Sequence, residues 1–261
     1  MLRILSAIVL IPLVFCAIWF LPPLGLLAVA EVVLWLAFFE YARLARTLGV
    51  AIPEAVAGCA AAATCIAVAW PGGSADAVLM AAVLAAGALS VAAARTGADV
   101  LAQVVTALFA SLYLGLPLGS LVAVRSLVSR EAVLLLLLTI IVSDTAQYYG
   151  GRAFGRRRLA PVISPKKTVE GAVGGFIGGV LVIAIVGQWW LPTLGVGWRL
   201  GLGVVIVAAG MLGDLFESQI KRSAGVKDSS ALIPGHGGVL DRIDALLFAA
   251  PAYYLFLRYG L

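Results

Sequence analysis

Residues 200–222 read LGLGVVIVAAGMLGDLFESQIKR. From Leu200 to Leu212 there is no ionisable side chain, and then Asp214, Glu217, Ser218 and Lys221 follow at i, i+3, i+4 and i+7. A bilayer core of about 30 Å is crossed by roughly 20 apolar residues, and the backbone inside it must satisfy its own hydrogen bonds. The run does not alternate as a barrel strand would, so it predicts a membrane-spanning helix. At about 1.5 Å per residue, Asp214 lies roughly 20 Å along that core, below the inner surface. The four polar residues share one helix face. An ionisable side chain at such depth is costly and points to function; an interhelical salt bridge with Lys221 is the plainer alternative.

The same pattern recurs along the 261 residues, of which 63% are hydrophobic and 12% charged, against about 25% charged in globular domains. The sequence predicts an all-α, polytopic transmembrane helical bundle of about nine spans, at 4–21, 24–42, 52–70, 76–94, 101–122, 131–149, 171–191, 200–221 and 241–259. Pro22-Pro23, Pro71-Gly72-Gly73 and Pro192 punctuate the ends, and Gly115-Leu116-Pro117 should kink or end the fifth helix. With the N-terminus in the cytoplasm and the C-terminus outside, 14 of the 18 Lys and Arg residues fall on the inner side. The net charge of +5 is therefore a topology signal, and no nucleic-acid partner is needed to explain it. The first segment reads as a retained span, not a removed signal. Cys16, Cys59 and Cys65 lie in apolar runs, without metal or disulfide spacing.

The chain divides into an N-terminal hydrophobic region, 1–130, and a catalytic region, 131–261, with cytoplasmic loops at 150–170 and 222–240. In the first, Glu31 stands out as an interhelical or helix-end hydrogen-bonding group. No internal repeat is visible, which weakens a transporter reading. In the second, Asp144 falls inside the sixth span, and Asp241 and Asp244 share one side of the first turn of the ninth. Just before them, Gly235, Gly237 and Gly238 let backbone N–H groups approach an anion, with His236, the only histidine, among them. Arg156-Arg157-Arg158 suits a lipid-facing inner boundary. Ser164-Pro165-Lys166-Lys167-Thr168-Val169-Glu170-Gly171 collects cations and hydroxyls before a helix start, which suits phosphate. The glycines at 171, 174, 175, 178 and 179 suit close helix packing.

Ser218-x-x-Lys221-Arg222, then Lys227-Asp228, then Pro234-Gly235-His236-Gly237-Gly238-x-x-Asp241-Arg242-x-Asp244 resembles the signature of the phosphatidate cytidylyltransferase, or CDP-diacylglycerol synthase, family. The stretch from Ser164 to Gly171 is similar to a second motif of that family, and the Asp144 region fits as well. The resemblance implies transfer of a cytidylyl group from CTP to phosphatidic acid, giving CDP-diacylglycerol and pyrophosphate, with one or more Mg²⁺ ions, in the cytoplasmic (inner) membrane of a bacterium. It also suggests a homodimer.

On that reading Asp144, Asp214, Lys221 and Asp241 are catalytic, and Asp214, Asp241 and Asp244 hold metal, with Glu217 in support. Ser218, Arg222, Lys227, Asp228, His236, Gly237, Gly238 and Arg242 bind substrate. Ser164, Lys166, Lys167 and Thr168 hold either the nucleotide triphosphate or the lipid phosphate. The alternatives are a CTP-dependent lipid kinase of the polyprenol type, which would release CDP, and an ion or phosphate transporter.

Overall fold

The computed structural model describes residues 2–94, 96, 97, 99–233, 235 and 237–260, and side-chain surroundings from Ile8 onward, Val9 excepted. Its helices are α1 (Leu2–Phe20), α2 (Pro23–Thr47), α3 (Glu54–Ala69), α4 (Ala75–Ala92), α5 (Asp99–Ala110), α6 (Leu116–Leu127), α7 (Arg130–Phe154), α8 (Val169–Trp190), α9 (Val196–Ser223) and α10 (Leu240–Gly260). A π-helical turn, Ser111–Gly115, joins α5 to α6 in one rod, so nine rods are present among the described residues. Six of them, including Asp99–Leu127, are long and apolar enough to cross a membrane by length and composition; α3 is a shorter apolar helix. The protein is an all-α integral membrane bundle.

Local chemistry sets most boundaries. Pro23 opens α2 at a position whose N–H would go unused. Ser129 caps α7, its hydroxyl accepting from Ala132 N–H at 3.1 Å, and Thr168 caps α8 through Gly171 N–H at 3.1 Å. α2 and α9 both end in a left-handed glycine, Gly49 (φ 83°) and Gly225 (φ 70°). The following amide then reaches back, Val50 N–H to Ala45 O and Val226 N–H to Lys221 O, both at 2.9 Å. The expected break at Gly115–Pro117 is absorbed by the π turn, and Pro117 falls in the first turn of α6.

The cytoplasmic loop expected over 150–170 is largely structured. α7 continues to Phe154, and the rest folds as an antiparallel hairpin of β1 (Arg158–Ala160) and β2 (Ser164–Thr168). The extension of α7 has a packing reason. Gly150 and Gly151 lie against Gly171 of α8, and a Cβ on Gly171 would stand 2.6 Å from Gln147 O. Gly175 repeats this one turn on, where a Cβ would stand 2.7 Å from Ser143 O. The glycines of α8 thus bring α7 and α8 close, as the sequence suggested.

One apolar core runs through residues of both halves, from Ile18 to Leu257. Tyr41 of α2 donates to Thr106 O of α5 at 2.7 Å, and Tyr253 of α10 donates to Ala132 O of α7 at 3.0 Å. Phe109 and Tyr113 meet Phe216 of α9 edge to face, and Tyr113 and Phe216 meet Phe248 of α10. Outward-facing side chains such as Leu84, Leu101, Ile177 and Leu212 are more than half exposed, as a lipid-facing surface requires.

Candidate active site

Three carboxylates from three helices come near one another. Asp144 of α7, Asp214 of α9 and Asp244 of α10 lie within electrostatic reach of each other, with Lys167 and Arg242 beside Asp144. Asp214 lies nine residues before the end of α9, roughly 14 Å along the axis. Lys167 reaches it from β2 as an ion pair. Lys167 is half-buried against Asp214, while Lys166 is exposed. Asp244 sits one turn into α10, its Oδ1 accepting from Ala245 N–H at 2.7 Å.

Behind this group lies a second, more buried one. Lys221 is paired with Glu217, one turn earlier on α9, and with Asp241 of α10. Glu217 is fully buried, and apart from the charge of Lys221 neither of its oxygens has a hydrogen-bond donor. Asp241 is saturated. Oδ1 takes Lys221, and Oδ2 accepts from Ser229 N–H (2.9 Å), Ser229 Oγ (2.8 Å) and Gly238 N–H (2.7 Å). Gly237 (φ 82°) allows this turn, and a Cβ there would come 2.7 Å from Asp241 Oδ2. The expected metal set thus divides: Asp214 and Asp244 lie near Asp144, whereas Asp241 is held by the loop and Lys221. Among the described residues, no three His, Cys, Asp or Glu side chains stand together as a ready-made metal cage.

The remaining expected residues lie on the hairpin, the end of α9, the loop after it and the first turn of α10. Arg222 donates to Ile163 O (3.3 Å) and Val226 O (3.0 Å), tying the hairpin to the end of α9. Glu170 accepts from the N–H groups of Arg156 and Arg157, at 3.0 and 3.2 Å, which leaves both guanidinium groups exposed. Ser164, Ser218 and Thr168 are half-buried, Thr168 as the α8 cap; Lys227, Asp228 and Arg242 are exposed. His236 lies outside the described residues.

Residues not expected from the sequence also converge here. Glu40 of α2 is buried and accepts from Ser230 Oγ (2.6 Å), Val239 N–H (2.9 Å), Ser229 Oγ (2.8 Å) and Leu240 N–H (2.8 Å). Its only sequence signal is an acid inside a predicted span, and Arg43 at i+3 offered it an ordinary surface partner.

The sequence that builds this site belongs to a known family. The chain matches the Cytidylyltransferase family over residues 1–260 and is a member of it. It is 50% identical over 130 residues to a phosphatidate cytidylyltransferase of Haemophilus influenzae, covering 47% of this chain and 45% of that protein. It is 50% identical over 119 residues to one of Synechocystis, covering 45% and 40%. An uncharacterised Escherichia coli protein, YnbB, is 46% identical over 127 residues, covering 49% and 42%. The chain spans less than half the length of each of these relatives.

Proposed function

We propose that this membrane cytidylyltransferase acts on CTP and phosphatidic acid to give CDP-diacylglycerol and pyrophosphate. One observation carries the reading: the two ion pairs Lys167–Asp214 and Lys221–Asp241 lie near the carboxylates Asp144 and Asp244 in a chain of this family. Both reactants are polyanions, so the site must neutralise charge and hold an oxygen of the lipid phosphate in line with the α-phosphorus. The P–O bond between the α- and β-phosphates breaks as the new one forms, and pyrophosphate carries away the electron pair. A phosphate monoester is already ionised near neutral pH, so no general base is required.

Hard carboxylate oxygens fit Mg²⁺, which is usually held by one or two carboxylates plus substrate phosphates instead of a complete protein cage. Asp214 and Asp244 would hold it, with Asp144 near them, while Asp241 is engaged by Lys221 and the loop. When bound, the ion would offset negative charge on the phosphates and on the leaving pyrophosphate. Lys167, Arg222, Lys227 and Arg242 supply cations for phosphate.

The same reading gives nine spans, with the hairpin and the 226–239 loop on the cytoplasmic side of a bacterial inner membrane. The charge asymmetry supports it. A lipid-anchored substrate would enter sideways and CTP from below.

Purified protein in phosphatidic acid liposomes, given CTP and Mg²⁺, should form CDP-diacylglycerol, and EDTA should stop it. Absence of that lipid across several liposome compositions would defeat the proposal. Release of CDP in its place would favour a lipid kinase.

A further inference from the structure

The N-terminal half contributes one buried acid to the site's scaffold. Glu40 is 3% exposed and forms no ion pair among the described residues. Its four hydrogen bonds all come from one segment, 229–240, which lies 189 to 200 positions away in sequence. Each carboxylate oxygen takes one serine hydroxyl and one backbone N–H.

Two of those donors are amides at the start of α10, where N–H groups have no partner within the helix. The residue before α10 is Val239, whose side chain cannot cap. Glu40 supplies the missing cap from another helix, with a negative charge suited to a helix N-terminus. The fit is close: a Cβ on Gly238 would stand 2.6 Å from Glu40 Cδ. On the other side of the same loop, Ser229 and Gly238 N–H hold Asp241 Oδ2. The Ser229 hydroxyl lies 2.8 Å from both carboxylates. Its single proton serves one at a time, so it links the two.

We infer that Glu40 is a positioning residue for the cytidylyl-transfer site. It fixes the 229–240 loop, and through it the direction in which Asp241, Arg242 and Asp244 leave the first turn of α10. This rests on the proposed function for its catalytic consequence, but the structural part stands alone.

The test compares wild type, Glu40→Gln and Ser230→Ala in detergent micelles. Amide hydrogen exchange at residues 237–241 and CTP kinetics are read on the same preparations. Gln keeps the shape but turns an NH₂ toward one amide and one hydroxyl; the hydroxyl can turn to accept from it, but the amide loses its acceptor and the loop loses the negative charge. Exchange at 239 and 240 should quicken while the rest of α10 stays protected. Loss of an outer partner that orients a metal-site ligand costs on the order of 10–100-fold, and kcat/KM for CTP should fall by that much. Ser230→Ala, which loses one contact, should show a smaller change of the same kind and serves if Glu40→Gln does not fold. Wild-type exchange at 237–241 in both variants would overturn the inference, as would faster exchange with unchanged kcat/KM. Should the wild type make no CDP-diacylglycerol, the proposed function falls, and the exchange comparison by itself still decides whether Glu40 holds the loop.

Discussion

The ammonium of Lys221 donates to Oδ1 of Asp241, joining the end of α9 to the start of α10 inside the bundle. Lys221 is also the only cation paired with Glu217 among the described residues. One positive charge therefore stands between two buried negative ones. Removing one partner of a buried pair costs roughly 3–5 kcal/mol, largely because a charge is left uncompensated. Lys221→Met should lower stability by about that much in detergent unfolding. Adding Glu217→Gln should restore part of the loss. If the double variant is no more stable than Lys221→Met alone, the shared-charge account is wrong.

The α7–α8 contact makes a prediction that separates neighbouring glycines. A Cβ on Gly175 meets Ser143 O at 2.7 Å and Gln147 Cβ at 2.9 Å, whereas on Gly174 the nearest atom is Ala146 O at 3.4 Å. Gly175→Ala should cost about 1–3 kcal/mol through overpacking and displace Asp144, one residue from Ser143. Gly174→Ala should be close to neutral. Thermal unfolding of the two variants distinguishes them, and equal stability would count against close packing as the reason for these glycines.

Thr168 links the hairpin to α8. Its hydroxyl caps the helix, and the residue before it is Lys167. Thr168→Ala should cost about 1 kcal/mol of stability, and Thr168→Ser much less. Because Lys167 depends on this turn to reach Asp214, the alanine variant should also raise KM for one substrate. A serine variant as impaired as alanine would show that the methyl, not the cap, matters.

The membrane orientation is testable by labelling. In a background without Cys16, Cys59 and Cys65, cysteines at 166 or 227 should react with an impermeant thiol reagent only from the cytoplasmic face. A cysteine at 199 should react only from the outer face. Labelling of 166 or 227 from outside would invert the proposed topology.

How far the sequence carried the fold depended on how local each signal was. The helices were legible to within a few residues because each is a long apolar run bounded by Pro, Gly or charge. Three of them run five residues past the expected end: α2 reaches Thr47 and not 42, the α5–α6 rod reaches Leu127 and not 122, and α7 reaches Phe154 and not 149, the last with Gly150 and Gly151 in contact with Gly171. The β1–β2 hairpin was hidden because its strands have three and five residues, one containing Pro165. Within the site, the acidic face of α9 and the first turn of α10 were readable from spacing. The division of labour was not: Asp241 belongs to the loop and Lys221, while Asp144, Asp214 and Asp244 lie near one another. That depends on how α7, α9 and α10 meet. Glu40 was hidden for the same reason, since its partners are distant in sequence and are mainly serines and backbone.

The most direct measurement of the central claim follows the label through the reaction. Wild-type protein and Asp214→Asn, each with phosphatidic acid and Mg²⁺, are given CTP labelled at either the α- or the γ-phosphate. For the wild type, α-label should appear in the lipid and γ-label only in pyrophosphate. Losing an electrostatic stabiliser of the transition state costs about 10²–10³-fold, and Asp214→Asn should slow both signals by a factor of that order. Gamma-label in the lipid, or an Asp214→Asn variant as fast as wild type, would contradict the account.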